Sequence, residues 1–416
     1  MFSRETWGEI LQSIGKNKLR TVLTGFAVFW GIFMLILLLG LGAGLKNGFA
    51  YNFRNTAENS ISIWGGETSK PWNGLPTNRQ IQLDEEDVET LRNAVPGVIN
   101  ISGSYRVWRG NSRLQRGDKY GSYNIHGVVS EHQQLEKQIM DRGRFINEVD
   151  EQEKRKVIVI AEDARKELFA KDEEPLGEWL NVNGVPFQVV GLYRFENEGR
   201  HGMMGRSPVY IPLSAAQQVF NAQRDVDEIM FSFSDASAVG AAMAEQRAIS
   251  AIARRHNFDP TDERALWTQN NVENVGQFNM IFGFINAFIV VIGIGSLVAG
   301  IVGIGNIMLI VVKDRTREIG IRKALGATPA NVVGQIILEA LFVTTLFGYF
   351  GLAAGVGSVE VIASLVPGGE FFRDPTIGFS TAVYSLLAML VAGTLAGYFP
   401  ARRAAAIRPI EALRDE

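Results

Sequence analysis

Charged residues are missing from long parts of this chain. Residues 21–45, 274–312 and 375–401 carry none, and residues 324–359 carry one, Glu339. The hydrocarbon core of a bilayer is about 30 Å thick and needs about 20 apolar residues in helical form. Each stretch reaches that length, so the pattern predicts four membrane helices at 18–45, 274–312, 331–357 and 377–400. The second is too long for the core alone, since 39 uncharged residues would extend ~58 Å at ~1.5 Å per residue. Its polar start, residues 274–282, is expected to project into water as a stalk, with residues 46–53 extending the first helix likewise. A cleaved signal peptide fits poorly, because its apolar run is usually about 7–15 residues.

Residues 46–273 alternate differently and predict one α+β domain inserted between helices 1 and 2. Residues 157–160 and 209–213 read as strands. Residues 179–190 read as a hairpin turning at Asn183-Gly184, a pair suited to a two-residue turn. Residues 84–94 read as a helix capped by Asp84, with Asp87 three residues on and Pro96-Gly97 as the stop. The run Asp84-Glu85-Glu86-Asp87 is read as helix capping rather than a carboxylate site. Ser214 is the expected cap of the helix after 209–213, and residues 236–255 read as another helix. The Gly-rich stretches 66–80 and 196–207 are loops, the second containing His201-Gly-Met-Met-Gly. At the start, Trp7, Ile10, Leu11 and Ile14 fall at helical spacing and predict an interfacial amphipathic helix within 1–17.

Charge then sets orientation. Thirteen basic residues fall in three short segments: Arg4, Lys16, Lys18 and Arg20; Lys313, Arg315, Arg317, Arg322 and Lys323; Arg402, Arg403, Arg408 and Arg414. The short segment 358–376 has only Arg373. Basic short loops stay cytoplasmic, so both termini and residues 313–330 and 401–416 are expected there, with 46–273 outside a multi-pass inner membrane protein. There are no cysteines, hence no disulfide or thiolate site. His126, His132, His201 and His256 form no ligand spacing. No Gly-x-x-x-x-Gly-Lys-Ser/Thr occurs, so no P-loop, catalytic residue, resident cofactor, metal or nucleic-acid partner is expected in these residues.

Within the spans, small residues recur four apart: Gly295, Ala299 and Gly303, then Gly351 and Gly355, then Gly393 and Gly397. This spacing suits close helix packing, within the chain or across a dimer. The spans have no polar stripe to line an aqueous pore. Glu339 falls in the cytoplasmic half of the third span, where a carboxylate is a candidate switch or a structural bond to a neighbouring helix.

Residues 306–328 (NIMLIVVKDRTREIGIRKALGAT) and 399–414 (FPARRAAAIRPIEALR) resemble the signatures of MacB-type ABC transporter permeases, the group that also holds lipoprotein-releasing and FtsX permeases. Weaker matches run in the same order through 83–91, 95–98, 143–145, 157–160 and 187–191. The tail motif places Pro400, Arg402, Arg403, Pro409 and Glu411. The resemblance implies a porter-like lobe at 46–100 and 216–273, and a β-rich middle lobe at 101–215. It also implies a coupling helix after span 2 that docks on a cytoplasmic ABC ATPase, through Asp314, Arg315, Arg317, Glu318, Ile319, Ile321, Arg322 and Lys323, with Gly326 ending it. In MacB an ATPase precedes the permease on one chain. Here the first span starts near residue 21, so ATP and Mg are expected on a separate subunit.

The same resemblance implies mechanotransmission: ATP closes the ATPase dimer, the stalks move, and the outer domain drives efflux of an amphiphilic compound, an antibiotic or a peptide. The expected partners are the ATPase, a second copy or a similar permease, a periplasmic adaptor, an outer-membrane channel and the lipid bilayer. Replacing Glu318 and Arg322 is expected to abolish ATPase stimulation. Lipoprotein release and an FtsX-like signal relay are the alternatives.

Overall fold

A computed structural model of the chain describes residues 18–53, 56–107, 112–195, 206–366, 368–369 and 372–407. The expected interfacial helix at 1–17, the loop holding His201, and Arg408, Pro409, Glu411 and Arg414 lie outside the described residues. The chain forms two compact units, one from residues 50–280 and the other from the segments flanking it.

In chain order, α1 (Lys18–Phe53) is followed by β1 (Ser60–Gly65), β2 (Leu83–Asp84), α2 (Glu85–Ala94), β3 (Val98–Arg106), β4 (Arg113–Arg116), β5 (Lys119–Ser122), β6 (Ile125–Val128), α3 (His132–Leu135), β7 (Ile139–Gly143) and α4 (Glu148–Gln152). Next come β8 (Val157–Ala161), α5 (Glu162–Leu168), β9 (Trp179–Val182), β10 (Val185–Arg194), β11 (Val209–Pro212), α6 (Leu213–Phe220), β12 (Asp225–Val226), β13 (Glu228–Phe233), α7 (Ala238–His256) and β14 (Leu266–Asn270). The last described elements are α8 (Asn271–Asp314), α9 (Thr316–Ala324), α10 (Pro329–Leu365) and α11 (Phe379–Ala406).

The inserted domain is built on one 12-stranded sheet, ordered β14-β1-β13-β3-β6-β11-β8-β10-β9-β4-β5, with β7 added beside β10. Strand period explains its faces, since alternate side chains point to opposite sides. In β1, Ile61 and Ile63 enter a core with Ile101, Phe231, and Leu91 and Ile252 from α2 and α7. Ser60 and Ser62 take the other face and are also buried. A second core holds Leu114, Ile158, Leu180 and Phe187, closed by Ala164 and Leu168 of α5. The resemblance implies two lobes; the structure has these two cores strung along one continuous ladder and a third cluster, with Val128, Phe145, Tyr193 and Tyr210, on the other face of the sheet. The nine-residue β3 joins the first two cores, because Tyr105 packs against both.

Local rules account for several joints. The Asp84 side chain accepts from the N–H of Glu86 (2.8 Å) and Asp87 (3.1 Å), and Asp87 accepts from the N–H of Asp84 (2.9 Å), a complete capping box on α2. Arg255 Nη2 donates to Asp84 and Glu86 at 2.6 Å each, so that acidic run is neutralised from α7. The β9–β10 hairpin turns at Asn183 (φ 49°) and Gly184 (φ 93°), both left-handed as a type I′ turn requires. Ser214 does not cap α6. The N-cap position falls on Pro212, which has no acceptor side chain, and Ser214 sits inside the helix. The Glu151 carboxylate caps it instead, accepting from the N–H of Leu213 (2.9 Å) and Ser214 (3.2 Å).

The other unit contains four helices long and apolar enough to cross a membrane. α8 has 44 residues, ~66 Å at ~1.5 Å per residue, twice what a bilayer core needs. α10 corrects the expected end of the third span at 357 and the expected loop 358–376: it stays helical to Leu365. Residues 358–365 carry one charge and no Gly or Pro to break a helix, and the stop comes at Val366, the residue before Pro367, where α geometry is disfavoured. The segment after it folds back on α1, with Arg373 N–H donating to Gly44 O (3.0 Å) and Asn47 Nδ2 to Asp374 O (2.9 Å).

Candidate functional site

A short break interrupts the helix after the second span, and the helix then restarts. α8 stops at Asp314 because Arg315 leaves helical geometry (φ −104°, ψ 13°). Thr316 Oγ1 donates back to Lys313 O (2.8 Å) and Val312 O (3.2 Å), which fixes the bend. α9 then runs nine residues. It ends on Gly326 (φ 99°), with Gly326 N–H donating to Lys323 O (3.1 Å) and Ala327 N–H to Arg322 O (3.0 Å). That paired pattern is a Schellman stop. Thr328 caps α10 and Pro329 takes its first turn, where a missing N–H costs nothing.

α9 has two dissimilar faces. Inward, Ile319 packs on the apolar cluster of Met308, Val312, Val332 and Ile336. Arg315 Nη1 lies 3.5 Å from Glu339 Oε2 on α10. One turn of α10 away, Arg322 Nη1 donates to Gln335 Oε1 at 2.9 Å, and its Nη2 donates to Glu318 Oε1 at 2.8 Å. Lys323 Nζ donates to Ala405 O and Ile407 O at 2.7 Å each, at the negative end of α11. Outward, Asp314, Arg317, Glu318, Ile321, Ala324 and Leu325 are exposed, Leu325 at 83%. The expected docking set therefore mixes two roles. Asp314, Arg317, Glu318 and Ile321 face out, whereas Arg315, Ile319, Arg322 and Lys323 turn partly inward. Leu325 joins the outward face, and the alternation of charges gives no signal for it.

Glu339 is the one charged residue between 324 and 359. It is 5% exposed, ten residues into α10. A buried carboxylate there requires a partner, and Arg315 supplies one.

The small residues of the spans divide similarly. A Cβ on Gly351 would fall 2.5 Å from Phe29 O of α1, and on Gly355 2.8 Å from Ile36. On Gly397 it would meet Ala340 at 2.9 Å, and on Gly393 Thr344 at 3.1 Å. These four hold helices in contact. Gly295 meets nothing within 4 Å, and Ala299 is exposed, so neither packs within the chain; Gly303 is half-buried. The glycines of α8 that do approach α1 are Gly293, against Leu35, and Gly300, against Val28. In α11, Pro400 is buried, Arg402 is exposed and Arg403 stacks on the Phe399 ring at 4.8 Å.

The inserted domain holds a cavity of about 220 Å³ on the polar face of its sheet. Trp64, Arg106, His126, Glu136, Tyr210 and Glu228 line it. Strand register brings them together, with Trp64 opposite Glu228, and Arg106, His126 and Tyr210 in one row across β3, β6 and β11. Tyr210 donates to Glu136 Oε2 at 2.5 Å, and burial raises the pKa of the Glu228 carboxyl. Such a pocket is tertiary and has no local signal in the sequence. Among the described residues no group of three or more His, Asp or Glu side chains is placed to hold a metal ion.

Apolar helices around an inserted α+β domain, with a basic helix after the second, define a membrane permease. The MacB-like periplasmic core domain matches residues 21–249, and the FtsX-like permease C-terminal domain matches residues 273–409. The chain belongs to the MacB-like family of ABC transporter permeases. It is 30% identical to the macrolide export ATP-binding/permease protein MacB of Chlorobaculum tepidum, over 98% of this chain and 61% of that protein. It is 28% identical to the pyoverdine export ATP-binding/permease protein PvdT of Pseudomonas entomophila, over 96% of this chain and 58% of that one. It thus spans about three-fifths of the length of these relatives. The crystal structure of the periplasmic region of MacB from Actinobacillus actinomycetemcomitans aligns with a TM-score of 0.43 at 22% identity, covering 54% of this chain and 94% of that one.

Proposed function

We propose that the chain is the membrane subunit of an ABC exporter, with α9 as the surface on which a cytoplasmic ATPase acts. The observation that carries this reading is the two-faced character of α9. Its inner face is held by α10 and α11, while Arg317, Ile321 and Leu325 stand outward together. An exposed aliphatic pair beside an arginine is a composition suited to the centre of a protein interface. The basic segments favour a cytoplasmic position for this helix and both termini, and a periplasmic one for the inserted domain.

In this reading ATP and Mg bind in a separate ATPase subunit, and two permease chains work as a pair. Glycine-packed helices with no polar stripe act as a lever rather than a pore. The periplasmic domain moves an amphiphilic compound or peptide outward, with a periplasmic adaptor and an outer-membrane channel. The names of the relatives support export, of macrolides for MacB and of pyoverdine for PvdT.

Arg322 is tied to Gln335 on α10 and to Glu318, whereas Ile321 and Leu325 are exposed and can be changed without breaking that tie. Ile321→Asp and Leu325→Asp should each reduce stimulation of the co-expressed ATPase by at least about tenfold, ~1.4 kcal/mol of interface energy, without lowering the melting temperature of the permease. Stimulation equal to wild type in both variants would sink the docking surface.

A further inference from the structure

We infer that Glu339 is a positioning residue for coupling: with Arg315 it locks α9 to α10, so that a displacement of α9 is delivered to the α10–α11 pair. The inference rests on the reading that α9 receives the ATPase, and it adds where the displacement goes next.

Three ties leave the inner face of α9. The first two, from Arg315 to Glu339 and from Arg322 to Gln335, end four residues apart on one face of α10. The third, from Lys323 to the carbonyls of Ala405 and Ile407, ends on the last turn of α11. A nine-residue helix bound near both its ends cannot pivot about either one. Its receiving helices are themselves closely fitted. Gly348 of α10 lies under Met389 of α11, and Gly393 and Gly397 of α11 lie against Thr344 and Ala340 of α10. Ala340, next to Glu339, is fully buried in that seam. The carboxylate thus stands where the loop helix meets the seam between two spans.

The chemistry separates this role from mere packing. A leucine would fill the same space at lower cost, because burying a charge in or near the bilayer is unfavourable without a partner. An ion pair to a buried carboxylate is directional, and it resists sliding of α9 along α10 in a way that apolar contacts do not. Gln335 and Arg322 repeat the same polar tie one turn away, in a neutral–charged form.

The chain has no native cysteine, which makes site-specific labelling clean. Spin labels at Phe284→Cys on α8 and Leu365→Cys on α10, both exposed, report the separation of those helices in the full chain, reconstituted in nanodiscs with its ATPase. In wild type, ATP should shift that distance. In Glu339→Gln, affinity for the ATPase should stay within about twofold while the ATP-dependent shift is lost. If the single variant does not fold, Arg315→Met/Glu339→Met removes both charges and leaves none unpaired; it too should bind the ATPase and lose the shift. A wild-type shift in either variant overturns the inference, because the tie is then only a means of neutralising Glu339. Failure of wild type itself to bind the ATPase overturns the docking surface instead, and this inference with it.

Discussion

Burial and helix capping pull on the Glu151 carboxyl in opposite directions. Burial pushes its pKa up to about 7 from an ordinary 4.5, although the amides of Leu213 and Ser214 favour the charged form. An acid with a raised folded pKa binds more protons folded than unfolded between those two values. Its contribution to stability is therefore greatest below about pH 4.5, falls as pH rises toward about 7, and levels off above it, a change on the order of 3 kcal/mol. Glu151→Gln should flatten that slope in melts of the full chain at a series of pH values. An unchanged slope would assign it to another group. This residue also shows what sequence can and cannot reveal. The Asp84 capping box is legible because donor and acceptor lie within three residues. The α6 cap is not, because its acceptor stands on α4, 63 residues before Ser214 in the chain. The same holds for Arg315, Arg322 and Lys323: their charge is plain in the sequence, but their partners on α10 and α11 are not.

Elements are easier to read than their ends. Each span announces itself as a long apolar run, uncharged but for Glu339 in the third, and that signal survives any tertiary context. The end of α10 does not, since a lone Glu360 in a helix-forming stretch looks like the start of a loop and is not one. Glycine spacing identifies contacts but not which face makes them. Gly351 and Gly355 do touch α1, whereas α8 approaches it through Gly293 and Gly300 rather than Gly295. The two classes should behave differently. Gly351→Ala sets a methyl against the backbone oxygen of Phe29, which cannot rotate away, and should cost about 1–3 kcal/mol. Gly295→Ala has open space for its methyl and should leave the melting temperature of the detergent-solubilised protein the same or slightly raised, because alanine is the better helix former. Equal melting temperatures for the two variants would contradict the helix packing described for α1 and α10.

At the scale of the molecule, α8 is a single helix from the edge of the inserted domain to the bend before α9. Gly276 has open space around it, so a Gly-Pro pair inserted after it should spare the folding of both units. It should also abolish any ATP-driven change read by labels placed in the inserted domain, and a retained response would show that α8 is not the link. The arrangement of the cores in the inserted domain is legible only in part. Turn and strand signals mark a mixed domain, but that one ladder runs through it depends on β3 pairing with β13 and β6, the first of which lies far from it in sequence.

That ladder begins where the helices enter. β14 runs directly into α8, and β1 follows α1 after a short connection; the two strands are antiparallel neighbours, with Ile61 beside Asn270. Sliding β1 along β14 would have to break all the bonds of this pair at once, whereas peeling would break them singly. Slipping to the next register that keeps Ile61 and Ile63 in the core needs two residues, ~6.8 Å at ~3.4 Å per residue. Smaller displacements of one strand along the other have no register to settle in, so the pair keeps its place or gives way whole.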